Sequence, residues 1–180
     1  MKKYDRLSAV EYAFKWWNKT NPNYYNYDRI GGDCTNFISQ CLFAGSRVMN
    51  YQKTFGWYYI NANEKSPSWT GVDFLAKFLL NNKMEGPTAR LCKLEEIELG
   101  DIIQIRQEYY FNHTLLVTKI SNNYPQKLSD IFVTAHSFNV LNKNLTLYQP
   151  KELRLLKIWM SQLKAEMSLS LRISLIPERH

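Results

Sequence analysis

Apolar positions recur at helical spacing through the first part of the chain and in strand-like runs after residue 100. Leu7, Val10, Ala13, Phe14 and Trp17 fall three and four residues apart, which predicts a first helix with one apolar stripe. Asp5 is placed to cap it, Ser8 and Glu11 have the spacing of a capping box, and Asn21-Pro22-Asn23 stops it. A loop carrying Tyr24, Tyr25 and Tyr27 then leads to Gly31-Gly32. The cleanest periodicity follows. Cys34, Phe37, Ile38, Cys41 and Leu42 occupy i, i+3, i+4, i+7 and i+8, the buried face of a second helix. Asp33 stands at its cap position and Ala44-Gly45 at its expected end. Residues 46–68 are irregular and aromatic, and Ser68 or Thr70 caps a third helix through Val72, Phe74, Leu75, Phe78 and Leu79.

Beyond Gly100-Asp101 the pattern changes to strands. Residues 102–105 form one, residues 113–120 a second headed by His113, and a polar loop leads to a third over 131–136. In that third strand Phe132, Thr134 and His136 share a face. Residues 153–159 fit a strand or a helix. Helices followed by strands joined through loops give an α+β class, N-terminal helices packed on an antiparallel sheet. One domain is expected over residues 1–160, with 161–180 a C-terminal extension of unassigned role.

Hydrophobic residues at 45% and charged residues at 22% exclude a disordered chain, and no apolar run approaches a bilayer span. The start is basic, but Asp5, Arg6 and Glu11 interrupt any apolar stretch after it, so no export signal is read and a cytoplasmic location is expected. The net charge of +7 favours anionic partners, yet the 23 Lys and Arg form no run longer than two, so nucleic acid is not expected. Three irregularly spaced cysteines make no disulfide framework and leave a thiol free for chemistry. Metal-ligand spacings and phosphate loops are absent from the sequence, so no metal and no cofactor is expected.

Cys34 carries the chemical interest. At a helix N-terminus the free N–H groups and the dipole favour thiolate over thiol, and the same N–H groups suit a developing oxyanion. His113 and His136 sit at the start of one strand and the end of the next. If those strands are antiparallel neighbours, both imidazoles reach one end of the sheet and a Cys34–His113–His136 relay becomes possible. Asn139, Asn112 or a strand-end carbonyl are alternatives to His136 for orienting the base. Asp33 reads as a cap rather than an acid, and its charge opposes thiolate formation. Cys41 and Cys92 read as packing residues. Trp57, Tyr58, Tyr59 and Trp69 suit a substrate groove or core packing equally.

Several segments together resemble the bacterial putative amidase domain family. Tyr4-Asp5-Arg6, Tyr12-Ala13, Trp16-Trp17 and Asn21-Pro22-Asn23-Tyr24 resemble its opening, and Gly31-Gly32-Asp33-Cys34-Thr35-Asn36-Phe37-Ile38-Ser39-Gln40 its central signature. Ser68-Trp69, Gly100 to Gln104, Asn112-His113-Thr114 and Ala135-His136-Ser137 follow in the family's order, over roughly residues 4–160. The resemblance implies a papain-like fold related to NlpC-type cell-wall peptidases, with Cys34 as nucleophile, His113 as base and His136 as third member. Asn139 departs from an expected acidic residue and marks a possible change in the substrate pocket. Lys157 departs from an expected histidine, and the segment after residue 160 has no counterpart.

The expected activity is a cysteine-dependent amidase or peptidase acting through an acyl-enzyme on a peptide or peptidoglycan-like substrate. Relatives of that type often act outside the cytoplasm, which leaves cell-wall action open, as is the oligomeric state. Two alternatives stand beside it: an acyltransferase using the same Cys-His pair, and an inert papain-like module that binds a cell-wall glycan or peptide.

Overall fold

The computed structural model describes residues 3–122 and 124–161. Four helices precede a six-stranded antiparallel sheet: α1 (Arg6–Trp16), α2 (Cys34–Ser46), α3 (Pro67–Thr70), α4 (Val72–Asn81), β1 (Pro87–Leu91), β2 (Ile102–Arg106), β3 (Phe111–Ile120), β4 (Ile131–Ala135), β5 (Val140–Asn144) and β6 (Glu152–Met160). The strand order is β1-β6-β2-β3-β4-β5. The α+β class and the helices-on-sheet arrangement expected from the sequence are therefore found. Residues 153–159 belong to a strand, while β1 and β5 carry no alternation that announces them. Of the expected extension over 161–180, and of His180, all but residue 161 lies outside the described residues. No helix among the described residues is long and apolar enough to cross a membrane.

Both faces of the sheet are apolar, which is why its strands read as runs rather than alternations. Ile102, Leu116, Leu156 and Ile158 face the helices and pack with Phe37, Ile38, Cys41, Trp57 and Trp69. Ile103, Ile105, Leu115, Val117 and Val133 face the other way, against Ile97, Leu145 and Tyr148.

The helices differ from the sequence pattern in instructive places. Asp5 does cap α1, accepting from the Ser8 N–H, but the face that packs is Ala9, Val10 and Ala13. Leu7 and Phe14 are exposed, so the apolar stripe is rotated from the expected one. Gly45 does not stop α2, which runs to Ser46 and ends on Arg47 in the left-handed conformation. A Cβ on Gly45 would lie 2.5 Å from the Tyr4 ring and 2.7 Å from the Asp5 carbonyl, so glycine there permits α1 to approach. Gly71, rather than Ser68 or Thr70, precedes α4, because the chain first makes the short turn α3.

Two segments far apart in sequence lock together beneath this layer. Asp101 is fully buried, and its carboxylate accepts from Arg6 at 2.6 Å and from the Ile158 N–H at 2.8 Å. The Tyr4 hydroxyl donates to the Gly100 carbonyl at 3.0 Å. Tyr4-Asp5-Arg6 and Gly100-Asp101 are thus structural partners that tie α1 to β2 and β6.

Candidate active site

Gly31 and Gly32 carry the chain into α2 at φ of 88° and 101°, a region glycine adopts without strain. Cys34 follows as the first residue of α2 and lines a cavity of about 290 Å³ together with both glycines, His113, Lys143 and Tyr148. His113 arrives from the start of β3, Lys143 from β5, and Tyr148 from a 3₁₀ turn over Leu145–Tyr148. The structure thus brings the expected nucleophile and base to one cavity.

Its electrostatics differ from the expected activated thiolate. Burial pushes the Cys34 thiol up. The Thr114 backbone N–H, then the Thr35 hydroxyl and N–H, pull it back, while the Asp33 charge adds an upward push. Burial first, and the neighbouring Lys143 ammonium second, lower His113 to about 4. Both directions favour a Cys34 thiol and a neutral His113 imidazole in this cavity, and the side-chain hydrogen-bond partner of the Cys34 sulfur is the Thr35 hydroxyl at 3.8 Å, not His113. Helix position alone does not win against desolvation here.

His136 is not brought beside His113 as the expected third member. Its Nδ1 meets Asp33 Oδ2 at 2.7 Å, its Nε2 donates to the Trp16 carbonyl at 2.9 Å, and its ring stacks on Phe37 at 3.9 Å. No ring nitrogen remains for His113. Strand register gives the reason. Near the connecting loop Ile120 pairs with Ile131 and Lys119 with Phe132, a register that would put both histidines on one face. A bulge between Val117 and Lys119 then shifts the pairing to Leu116 with Thr134. Continued two residues, that register sets Thr114 rather than His113 opposite His136, so the two rings leave opposite faces. The neighbour that His113 does have is the Tyr148 ring, tilted at 5.9 Å. No described residue hydrogen-bonds its imidazole.

Asp33 likewise exceeds a cap. Its side chain makes no cap bond. Instead Oδ1 accepts from the Tyr27 N–H and from Asn36 Nδ2, both at 2.8 Å, while Oδ2 takes His136. The Asp33 N–H donates to Ser137 Oγ at 2.8 Å. This knot fastens the residue before Cys34 to the end of β4.

The expected substrate-groove residues lie elsewhere. Trp57 and Trp69 are fully buried, with rings 4.9 Å apart, and donate to Ser39 Oγ and Asn36 Oδ1. They are core, held by these two polar residues of α2. Tyr58 stacks on Tyr51 at 5.4 Å away from the Cys34 cavity, and Asn139 is exposed in the turn after β4 with φ of 47°. Asn36, fully engaged by Asp33, Tyr25 and Trp69, is not free to serve an oxyanion. Sequence reasoning missed Lys143 and Tyr148, because an edge strand and a single 3₁₀ turn carry no periodic signal.

A larger cavity of about 480 Å³, lined by Phe55, Phe74, Phe78 and Met84, holds neither cysteine nor histidine. Among the described residues, no group of three or more His, Cys, Asp and Glu is placed to hold a metal ion.

A family model described as a putative amidase domain matches residues 3–159. Among curated proteins, the chain is 40% identical over 127 residues to "Uncharacterized protein YhbB" of Bacillus subtilis (strain 168), covering 68% of this chain and 40% of that protein. It is 29% identical over 153 residues to "Uncharacterized protein YjcM" of the same organism, covering 79% of this chain and 33% of that protein. The chain therefore spans well under half the length of these relatives. No solved structure matches it.

Proposed function

The chain belongs to the putative amidase domain family, and on that premise we propose that it is a cysteine-dependent amidase of papain-like type, working through Cys34 and His113. The observation that carries this reading is that Cys34, at the first position of α2, and His113, at the start of β3, line one cavity. The substrate class we propose is a peptide or a peptidoglycan-like stem peptide.

In the proposed cycle the Cys34 Sγ attacks the amide carbonyl carbon as its proton passes to the His113 imidazole. The tetrahedral intermediate collapses, the C–N bond breaks, and His113 returns the proton to the leaving amine. The remaining thioester is attacked by water, whose proton His113 takes. The C–S bond then breaks to release the acid, and His113 passes that proton to the sulfur, restoring the Cys34 thiol. Because the resting pair is neutral, proton transfer accompanies attack rather than preceding it. Of the Asp33–His136 pair we propose a positioning role only, fixing the start of α2.

A second reading has one observation in its favour: the upward push on the Cys34 thiol suits a module that binds without cleaving. Intact-mass spectrometry on peptide p-nitroanilides and stem peptides separates the two. The amidase reading expects an acyl adduct mapped to Cys34, and hydrolysis falling on the order of 10²–10⁴-fold in His113→Ala. Hydrolysis that persists in Cys34→Ala overturns it, and peptide binding with no adduct favours the binding module.

A further inference from the structure

The cavity around Cys34 is lined by a cation and no carboxylate. Lys143 lines it without an acidic partner within ion-pair distance among the described residues, its ammonium 4.1 Å from the centre of the Tyr148 ring. Such a cation facing a recess is complementary to an anion. Tyr148 supplies an independent observation. It is 8% exposed, and its hydroxyl is the one buried side-chain nitrogen or oxygen among the described residues with no hydrogen-bond partner. A buried hydroxyl left unpaired is destabilising, so its persistence beside a reactive pair points to a partner that arrives with a ligand.

We propose that the Cys34 cavity selects substrates bearing a carboxylate close to the attacked carbonyl, with the Lys143 ammonium as its counter-ion and the Tyr148 hydroxyl donating to the same bound molecule. The proposal rests on the amidase reading and deepens it by naming the substrate class. It also explains an otherwise awkward base. Burial first, and Lys143 second, depress His113, and a carboxylate on Lys143 offsets the second of these and raises the basicity of His113. The correct substrate then completes the catalytic pair by binding.

The test compares two alkylating reagents of similar size and different charge. Cys34 labelling by iodoacetate and by iodoacetamide is followed by peptide mapping at pH 7, and their rate ratio is referred to that of Cys34 in the urea-unfolded chain. A subsite for carboxylate raises the ratio about tenfold in the folded protein, as one well-placed opposite charge would. Lys143→Met then returns it to the unfolded value. A ratio no higher than unfolded, or one unchanged by Lys143→Met, overturns the proposal.

A second arm does not need a reactive thiol. The His113 ring resonances are titrated with N-acetylglycine and with N-acetylglycinamide in Cys34→Ala and in the double variant with Lys143→Met. Shifts with the acid alone, lost with Lys143, support the subsite even if Cys34 proves unreactive, in which case only the amidase reading falls. Equal shifts or none, with normal Cys34 acylation by substrates, leave the amidase reading standing and remove the subsite.

Discussion

Replacing Asp33 tests whether the residue before Cys34 acts by charge or by hydrogen bonding. Its side chain is 1% exposed and accepts from Tyr27, Asn36 and His136, the last itself 4% exposed. The Trp16 carbonyl can only accept, so His136 Nε2 carries a hydrogen. An ionised Asp33 also only accepts, so Nδ1 carries one too, and the pair holds a proton between Oδ2 and Nδ1. Asp33→Ala strands three buried donors, each worth about 1–3 kcal/mol if left unpaired, with relaxation recovering part. A loss of about 4 kcal/mol is expected, in the range for breaking a buried charged pair. Asp33→Asn keeps Oδ1 for Tyr27 and Asn36, and its amide can donate to Nδ1 of a neutral His136. That loss should be about 1 kcal/mol. Urea unfolding followed by the fluorescence of the buried Trp57 and Trp69 gives both values. Ring ¹⁵N spectra should show two His136 N–H signals in the wild type and one in Asp33→Asn. Equal destabilisation by Ala and Asn would show that the charge is indispensable, and a loss under about 1 kcal/mol for Ala would refute the hydrogen-bond argument altogether.

Three further outcomes are expected. His113 is lowered to about 4 in the folded chain, first by burial and then by Lys143, against about 6.5 when unfolded; its contribution is therefore complete above pH 6.5 and lost as pH falls toward 4, on the order of 3 kcal/mol. His113→Gln should flatten urea stability over that window by this amount, and an unchanged slope would count against burial of the ring. Tyr148→Phe removes an unpaired buried hydroxyl, so it should match or exceed wild-type stability by about 1 kcal/mol while lowering amide hydrolysis. Clear destabilisation in thermal melts would mean that the hydroxyl has a partner in the resting fold. Gly45→Ala places a Cβ against the Tyr4 ring and the Asp5 backbone and should cost about 1–3 kcal/mol by displacing α1, read from urea unfolding; a neutral result would contradict the close approach.

Sequence by itself determined the second helix, because Cys34, Phe37, Ile38, Cys41 and Leu42 satisfy a local 3.6-residue period that needs no knowledge of what packs against it. It determined the strands that begin at residues 102 and 131 and the one through His113, which starts two residues earlier than expected at Phe111, as well as the glycines before α2 and Cys34 with His113 as candidate chemistry. What it could not give is anything set by register or by neighbours. The role of His136 turned on one bulged residue in β3, since side chains alternate with a period of two and a one-residue shift reverses the face. Trp57 and Trp69 became core because Ser39 and Asn36 on α2 meet their ring nitrogens, a contact between segments many residues apart. Leu7 and Phe14 lost their expected burial because Tyr4 and Arg6, tied to Gly100 and Asp101, fix how α1 lies on the sheet. Lys143 and Tyr148 entered the cavity from an edge strand and a single 3₁₀ turn, elements too short to carry a pattern. Local periodicity reports what a segment can become, whereas the environment of a buried charge or thiol is assembled only when distant segments pack. Tertiary structure alone therefore decided that the Cys34 thiol is raised, His113 lowered, and their cavity lined by a cation.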